Sequence, residues 1–224
     1  MFQVNHLCGF GAATASASSI DLSATASSVS TADQTTYTFS GLSLGTADAA
    51  REIVVATSSR GSSNEVPSSV TVGGISATQI FSTGGAGDLS HIGIYRASVP
   101  TGTTGDVVVT FPGSQVRCAV QVWRMLGAAA GTHATASDET VSSGVLTTSI
   151  AVPAGGAVVA MIYAGVATGC TWTNLTENSD GDFESERYSA ASAMSASAQT
   201  LTVTATVDVG AARGFLGVAS FAAA

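Results

Sequence analysis

The run Asn178-Ser-Asp-Gly-Asp-Phe-Glu-Ser-Glu186 places four carboxylates and an amide within nine residues. Hard oxygen ligands at that density suit Ca²⁺. An EF-hand loop needs glycine at its sixth position and a bidentate acid at its twelfth. Phe183 and Ser189 stand there instead. Strand alternation would put Asp182, Glu184 and Glu186 on one face. Asp180, Asp182 and Glu184 are therefore the candidates for a weak cation site. The competing reading, a solvated acidic edge that discourages sheet-to-sheet pairing, is preferred, and no resident metal or cofactor is expected.

Gly41-Leu-Ser-Leu-Gly45 has the spacing of a serine-hydrolase elbow. That elbow requires a strand-to-helix turn, followed later in the chain by an acid and then a histidine. Here a strand leads into a short loop and another strand, so no catalytic residue is assigned. A hydrolase centred on Ser43 would be labelled by a serine-directed probe. His6, His91 and His133 are too scattered to nominate as a metal trio. Trp123 and Trp172 are the candidate glycan contacts, because exposed indoles can stack on sugars, although a core role is the ordinary one for either. Arg51 precedes a buried strand and is expected to pair with a carboxylate in a structural ion pair. Cys8, Cys118 and Cys170 lack metal-ligand spacing and read as reduced, packed thiols.

These side chains must be positioned by strands. From Thr35 onward the pattern is apolar/polar alternation broken by turn residues, with almost no helical period. Thr46–Arg51 is the one candidate for a helical turn. Glu52–Thr57 and Ala157–Ala164 read as buried strands. Gly73-Gly74 suits a turn that needs positive φ. In Leu201-Thr-Val-Thr-Ala-Thr-Val207 the apolar side chains face in and the threonines face out.

Residues 1–32 differ: Phe2, Val4, Leu7 and Phe10 are apolar anchors, and Ala/Ser-rich sequence follows. Such a stretch cannot bury enough surface to fold alone, so it is expected to be an extended assembly arm. Ala128–Gly144 is small and polar and reads as a linker. The expected organisation is all-β: arm 1–32, β-sandwich 33–127, linker 128–144 and β-sandwich 145–224. The two sandwiches would be antiparallel, of jelly-roll or Ig-like type.

The formal net charge is −8, only 10% of residues are charged, and every basic residue is arginine. Without a basic cluster, phosphate-driven nucleic-acid binding is excluded. No apolar run reaches membrane-spanning length. The N-terminus shows neither the basic nor the apolar region of a secretory signal. The expectation is a protein made in the cytosol and not secreted by a signal peptide.

The second half of the chain repeats the strand rhythm of the first. Gly102–Phe111 matches Ala196–Val207, and in both copies an arginine, Arg117 or Arg213, then opens another strand. Trp123 falls opposite Ala219. A period this long suggests duplication of a whole small sandwich. Residues 40–126 also resemble a β-sandwich module of tailed-bacteriophage virion proteins. The likeness rests on Leu44-Gly-Thr-Ala-Asp-Ala-Ala-Arg-Glu-Ile-Val-Val55, Ser69-Val-Thr-Val-Gly-Gly-Ile-Ser-Ala-Thr78 and Ala97–Phe111. These motifs encode turns and core positions. The resemblance implies a non-enzymatic virion component: a capsid decoration, fibre, spike or tail accessory protein. Its partners would be capsid or tail subunits and copies of itself, with a trimer suggested by the class. The alternative is a glycan-binding module of a phage tail or of a secreted bacterial protein, which would meet a host surface glycan.

Overall fold

The computed structural model describes residues 18–61, 65–84, 89–140, 144–165, 168–184, 186–208 and 213–224. The arm residues Phe2, Val4, Leu7 and Phe10 lie outside them. Among the described residues the chain is all-β, with every strand pairing antiparallel. The first half holds β1 (Asp21–Ser30), β2 (Gln34–Ser43), β3 (Glu52–Gly61), β4 (Ser69–Val72), β5 (Ile75–Ser76), β6 (Thr78–Thr83), β7 (Ser90–Ser98) and β8 (Thr104–Leu126). The second holds β9 (Ala128–Thr140), β10 (Val145–Val152), β11 (Ala157–Gly165), β12 (Cys170–Thr173), β13 (Thr176–Asp182), β14 (Glu186–Met194), β15 (Gln199–Val207) and β16 (Gly214–Ala223).

The long strand β8 shapes the first half. Its early part pairs with β2 and β4, and its later part pairs with β1 and β3. The eight-stranded sheet therefore curls until its two limbs face each other, nearly closing a barrel. Tyr37, Phe39, Val70, Val107 and Val109 from one limb meet Ile53, Val55, Tyr95, Val120 and Val122 from the other in a single apolar cluster. In the second half the corresponding limbs are separate sheets, ordered β10-β15-β12 and β13-β14-β11-β16-β9. Leu146, Ile150, Val203 and Ala205 pack there against Val158, Ala160, Ile162 and Val218.

A third cluster joins the halves. Val54, Ala56, Ile92, Ile94, Trp123 and Met125 pack against Val159, Met161, Tyr163, Phe215 and Phe221. Consequently β3 and β11 are covered on both faces, and all nine residues of β11 are buried. This explains why both read as unbroken apolar runs in the sequence. Close approach is built in at Gly217, where an added Cβ would lie 2.5 Å from the Phe81 ring.

Two expected boundaries are corrected. Asp21–Ser30, read as part of an extended arm, is an integral strand whose residues pair with Cys118–Leu126 of β8. Ala128–Thr140, read as linker, is the strand β9 that closes one edge of the five-stranded sheet. Both are rich in Ala, Ser and Thr, so neither carries a strong apolar signal. Each is held by backbone pairing along its neighbour, β8 for the first and β16 for the second. The expected helical turn at Thr46–Arg51 is instead a hydrogen-bonded turn, with Arg51 N–H donating to Asp48 O and Ala50 N–H to Asp48 Oδ1. Gly73 and Gly74 take φ of 57° and 81° in the two-residue link between β4 and β5, the backbone that their types allow.

Arg51 is fully buried, and its partner is not the expected carboxylate. Its five N–H donors reach five backbone carbonyls: Nε to Val99 O (2.7 Å), Nη1 to Leu44 O and Gly45 O (3.3 and 2.9 Å), Nη2 to Thr101 O and Gly102 O (2.7 and 2.8 Å). Burial, aided by the neighbouring Arg124 charge, holds its pKa below the ordinary value, and Asp48 pulls weakly the other way. The guanidinium thereby fixes the loop after β2 to the loop before β8. Stripping buried carbonyls of their donor costs about 1–3 kcal/mol each. Arg51→Ala is expected to lose at least about 3 kcal/mol of stability by urea denaturation. Arg51→Lys, with three donors and no planar fork, should recover part of that loss.

Candidate functional site

The charged side chains converge on the seam between the two large sheets. Arg60 of β3 and Arg117 of β8 are direct cross-strand neighbours, a like-charge pairing that would be unfavourable alone. Glu186 at the start of β14 lies between them, buried to 5% exposure. One carboxylate oxygen accepts from Arg60 Nη1, and the other lies 3.1 Å from Arg117 Nη1. Arg60 Nη1 also donates to the Tyr163 hydroxyl at 3.1 Å. Burial pushes the Tyr163 phenol up to about 12. Arg117 donates to Phe183 O and Glu184 O at 2.6 and 2.9 Å, pairs with the Glu184 carboxylate at 3.2 Å, and lies 5.9 Å from the centre of the Phe183 ring. Two cations thus face two carboxylates. The cluster acts as a clamp between sheets, because removing one member would strand a buried charge.

A second link crosses the same seam. The Trp123 N–H donates to Asn178 Oδ1 at 2.8 Å. Asn178 is the extra residue of a bulge, since the β13–β14 register skips between Glu177 and Ser179. A bulge re-aims a side chain, and here it turns an amide toward the indole. The expected glycan role of Trp123 is therefore corrected, because the ring is fully enclosed in the core. Trp172 is half-buried against the second-half core, with its N–H given to Ser189 Oγ at 2.8 Å. The Trp123 indole therefore offers no exposed face to a sugar.

The acidic run lies on β13, which pairs only with β14 and so forms a sheet edge. Asp180 is engaged by Arg187, whose Nε donates to Oδ1 at 2.7 Å and whose Nη2 donates to Oδ2. That bond to Asp180 leads the causes raising the Arg187 pKa, ahead of opposing burial. The expected shared face for Asp182, Glu184 and Glu186 is corrected. The β13–β14 hairpin turns between them, with Phe183 N–H donating to Glu186 O and Glu184 at φ 60°. Glu186 goes into the seam while Glu184 stays exposed. Among the described residues no group of three His, Cys, Asp or Glu side chains is placed to hold a metal ion.

The remaining candidates disperse. Ser43 ends β2 and is exposed, and the chain continues as loop and turn into β3, so the elbow geometry is not formed. His6 and Cys8 lie outside the described residues. His91 and His133 belong to different sheets. Cys118 and Cys170 are buried, unbridged and in different clusters. Burial pushes the Cys170 thiol up to about 12 and Cys118 further in the same direction. No protein-family model matches this chain, and no curated protein is similar to it.

His91 is the buried group that gives the fold a pH response. It is 1% exposed, and its Nε2 lies 2.8 Å from Ser82 Oγ. Burial lowers its pKa from 6.5 to about 4. The unfolded chain therefore binds this proton first. The stability held by neutral His91 is intact above pH 6.5 and is lost as pH falls toward 4, by about 3 kcal/mol in all. His91→Asn should lack this component. The stability difference between wild type and variant, read by urea denaturation, is expected to shrink as pH falls from 7 to 4.

Proposed function

We propose that the chain is a non-enzymatic structural protein of a tailed-phage virion, of the decoration, fibre, spike or tail-accessory kind. In this reading it is made in the host cytoplasm and built from two copies of one β-sandwich. The virion part rests on the resemblance of residues 40–126, and one observation carries the two-copy part. Cutting β8 near Gly113 turns the first half into β1-β8-β3-β7-β6 over β2-β8-β4, which matches β9-β16-β11-β14-β13 over β10-β15-β12, the short β5 beside β4 being the one strand without a counterpart among the described residues. The edge bulges correspond as well: the β6–β7 register skips between Gln79 and Phe81 as the β13–β14 register skips between Glu177 and Ser179.

The residues that differ between the copies should carry any specific role. Trp123, which falls opposite Ala219, and the acidic turn are used internally, holding the copies together through Asn178, Arg60 and Arg117. That supports assigning outside contact to the remaining difference, the N-terminal segment. It also favours placement of surfaces over chemistry in a pocket. The pairing of β1 and the hydrogen bonds of Ser18 and Ile20 narrow the proposed arm to residues 1–17.

Two truncations separate arm from body. Removing residues 1–17 leaves every described strand and should give a folded, soluble protein that no longer enters particles. Removing residues 1–32 also takes β1 off the later part of β8 and should give an unstable, aggregating product. Mass spectrometry of purified virions reads both the presence and the copy number, hundreds of copies indicating decoration and a handful a tail or spike. Undiminished incorporation of the shorter truncation would overturn the arm, and absence of the full chain from virions would overturn the virion assignment.

A further inference from the structure

Gln121 of β8 precedes Trp123 by two residues, shares its face between the halves, and is only 1% exposed. Its Nε2 donates to Val122 O at 3.1 Å. A carbonyl only accepts, so this bond assigns the amide and leaves Oε1 as the free end. Oε1 meets no donor among the described residues, a costly state for a buried acceptor. Gln121 lines a cavity of about 210 Å³ between β1 and β13, bounded by Ala24 to Ser27 and by Asn178. The β1 bulge at Thr25 and the β13 bulge at Asn178 both border it. Asn178 spends Oδ1 on the Trp123 N–H, so Nδ2 is the atom left to donate. Ser27 is the direct cross-strand neighbour of Gln121 and is exposed, which sets its hydroxyl at the mouth. Among the described residues no charged side chain lines the cavity.

The two copies differ at this place. The alignment that sets Trp123 opposite Ala219 sets Gln121 opposite Gly217, and the strand registers agree, with Gln121 beside Ala56 and Gly217 beside Met161. The matching bulges make Asn178 the counterpart of Ile80 and Ser179 the counterpart of Phe81. Over Gly217 the Phe81 ring fills the space, 2.5 Å from where a Cβ would lie. Ser179 stands in the place of that ring, and its Oγ is buried with no partner among the described residues. An apolar plug in one copy is thus replaced by amides and hydroxyls in the other. Packing alone favours the plug, which leaves no polar group unsatisfied. The hollow on the plugged side opens elsewhere, beside Glu52 and Arg96, which pair with each other.

We propose that the cavity between β1 and β13 binds a neutral vicinal diol, carried by a sugar ring or an open-chain polyol. One hydroxyl donates to Gln121 Oε1, its neighbour accepts from Asn178 Nδ2, and Ser27 closes the mouth. A hydroxyl both donates and accepts, so a pair of them meets all three groups. A carboxylate or ammonium would lose its hydration with no counter-charge in the lining. The volume is several times the ~30 Å³ share of one water and below the ~300 Å³ of the smallest drug-sized pockets, which sets the ligand at about one ring. So few hydrogen bonds support a Kd in about the millimolar range. Trp123 serves the site by holding Asn178, with no stacking on the sugar. The site is independent of the virion reading.

Saturation-transfer NMR on the full-length chain tests it, with glucose, galactose and mannose as ring diols and glycerol and sorbitol as open-chain ones. At least one should give a saturable signal, and whether rings or chains bind more tightly identifies the source. Gln121→Met keeps the bulk and removes the acceptor. Asn178→Asp keeps an acceptor for the Trp123 N–H and removes the donor. Each should weaken binding by about tenfold or more. Should Gln121→Met fail to fold, Asn178→Asp decides alone. No saturable transfer from any of the five, or undiminished binding in the folded variants, would overturn the site. So would a crystal structure at saturating ligand with only ordered water on Gln121 Oε1. Binding by a chain that is absent from virions would leave the site standing and remove only the virion assignment.

Discussion

Burial of β3 and β11 on both faces is the constraint on which the other features depend. A sheet with one solvated face can carry charge on alternate residues, but a strand covered on both sides cannot. In β3, Val54 and Ala56 enter the core between the halves, while Ile53 and Val55 enter the core inside the curled sheet. In β11 the same division puts Val159 and Met161 on one side and Ala160 and Ile162 on the other. Stacking the two inner sheets therefore removes solvent-facing positions from the middle of the protein. That accounts for a chain only 10% charged. Arg60, Arg117 and Glu186 occupy the margin of the shared core, where guanidinium and carboxylate can neutralise each other.

Apolar contact alone would let two flat inner sheets slide or rotate over each other, because hydrophobic burial is non-directional. The polar links across the seam supply the missing direction. Glu186 has to sit between two arginines, and Asn178 has to meet the Trp123 N–H, so each sets position along a different strand. Arg96 adds a third link on the opposite edge, donating to Ala129 O at 3.1 Å while lying 5.7 Å from the centre of the Phe221 ring. These bonds gain most of their worth by excluding misregistered packings, in which a buried charge or an indole N–H would be left without a partner.

Much of this was legible in the sequence, and the omissions have physical causes. Periodicity found the strands with large apolar residues, and the matched arginines Arg117 and Arg213 aligned the copies. β1 and β9 were missed for one shared reason. They are equivalent edge strands rich in Ala, Ser and Thr, held by pairing with a neighbouring backbone more than by large apolar side chains of their own. Asn178 was missed because alternation assumes two residues per repeat, and a bulge breaks that count. The β13–β14 turn likewise broke the alternation after Asp182, burying Glu186 in the seam while Glu184 meets the same Arg117 from the exposed side. For Arg51 the expectation of a carboxylate followed from charge balance, yet five carbonyls clustered at two loop ends supply comparable negative potential without a second ion to desolvate. Backbone acceptors of that kind leave no mark in a sequence.

The back-to-back stacking also decides which surfaces remain available. The inner sheets are covered, and the outer sheets present hydroxyls that bond across strands, as in Thr147–Thr204 at 2.9 Å and Ser149–Thr202 at 3.2 Å on one side and Thr36–Thr110 at 3.5 Å on the other. Three edge strands, β1, β6 and β13, carry bulges at Thr25, Ile80 and Asn178, and β13 adds its acids, devices that oppose strand addition. The end where Ser18 and Ala224 lie is closed by the hydrogen bond between them. A protein held there keeps both hydroxyl faces clear of its anchor. Duplication without a linker domain then has a simple physical use: it doubles the distance between those faces and provides one end at which the whole stack can be held.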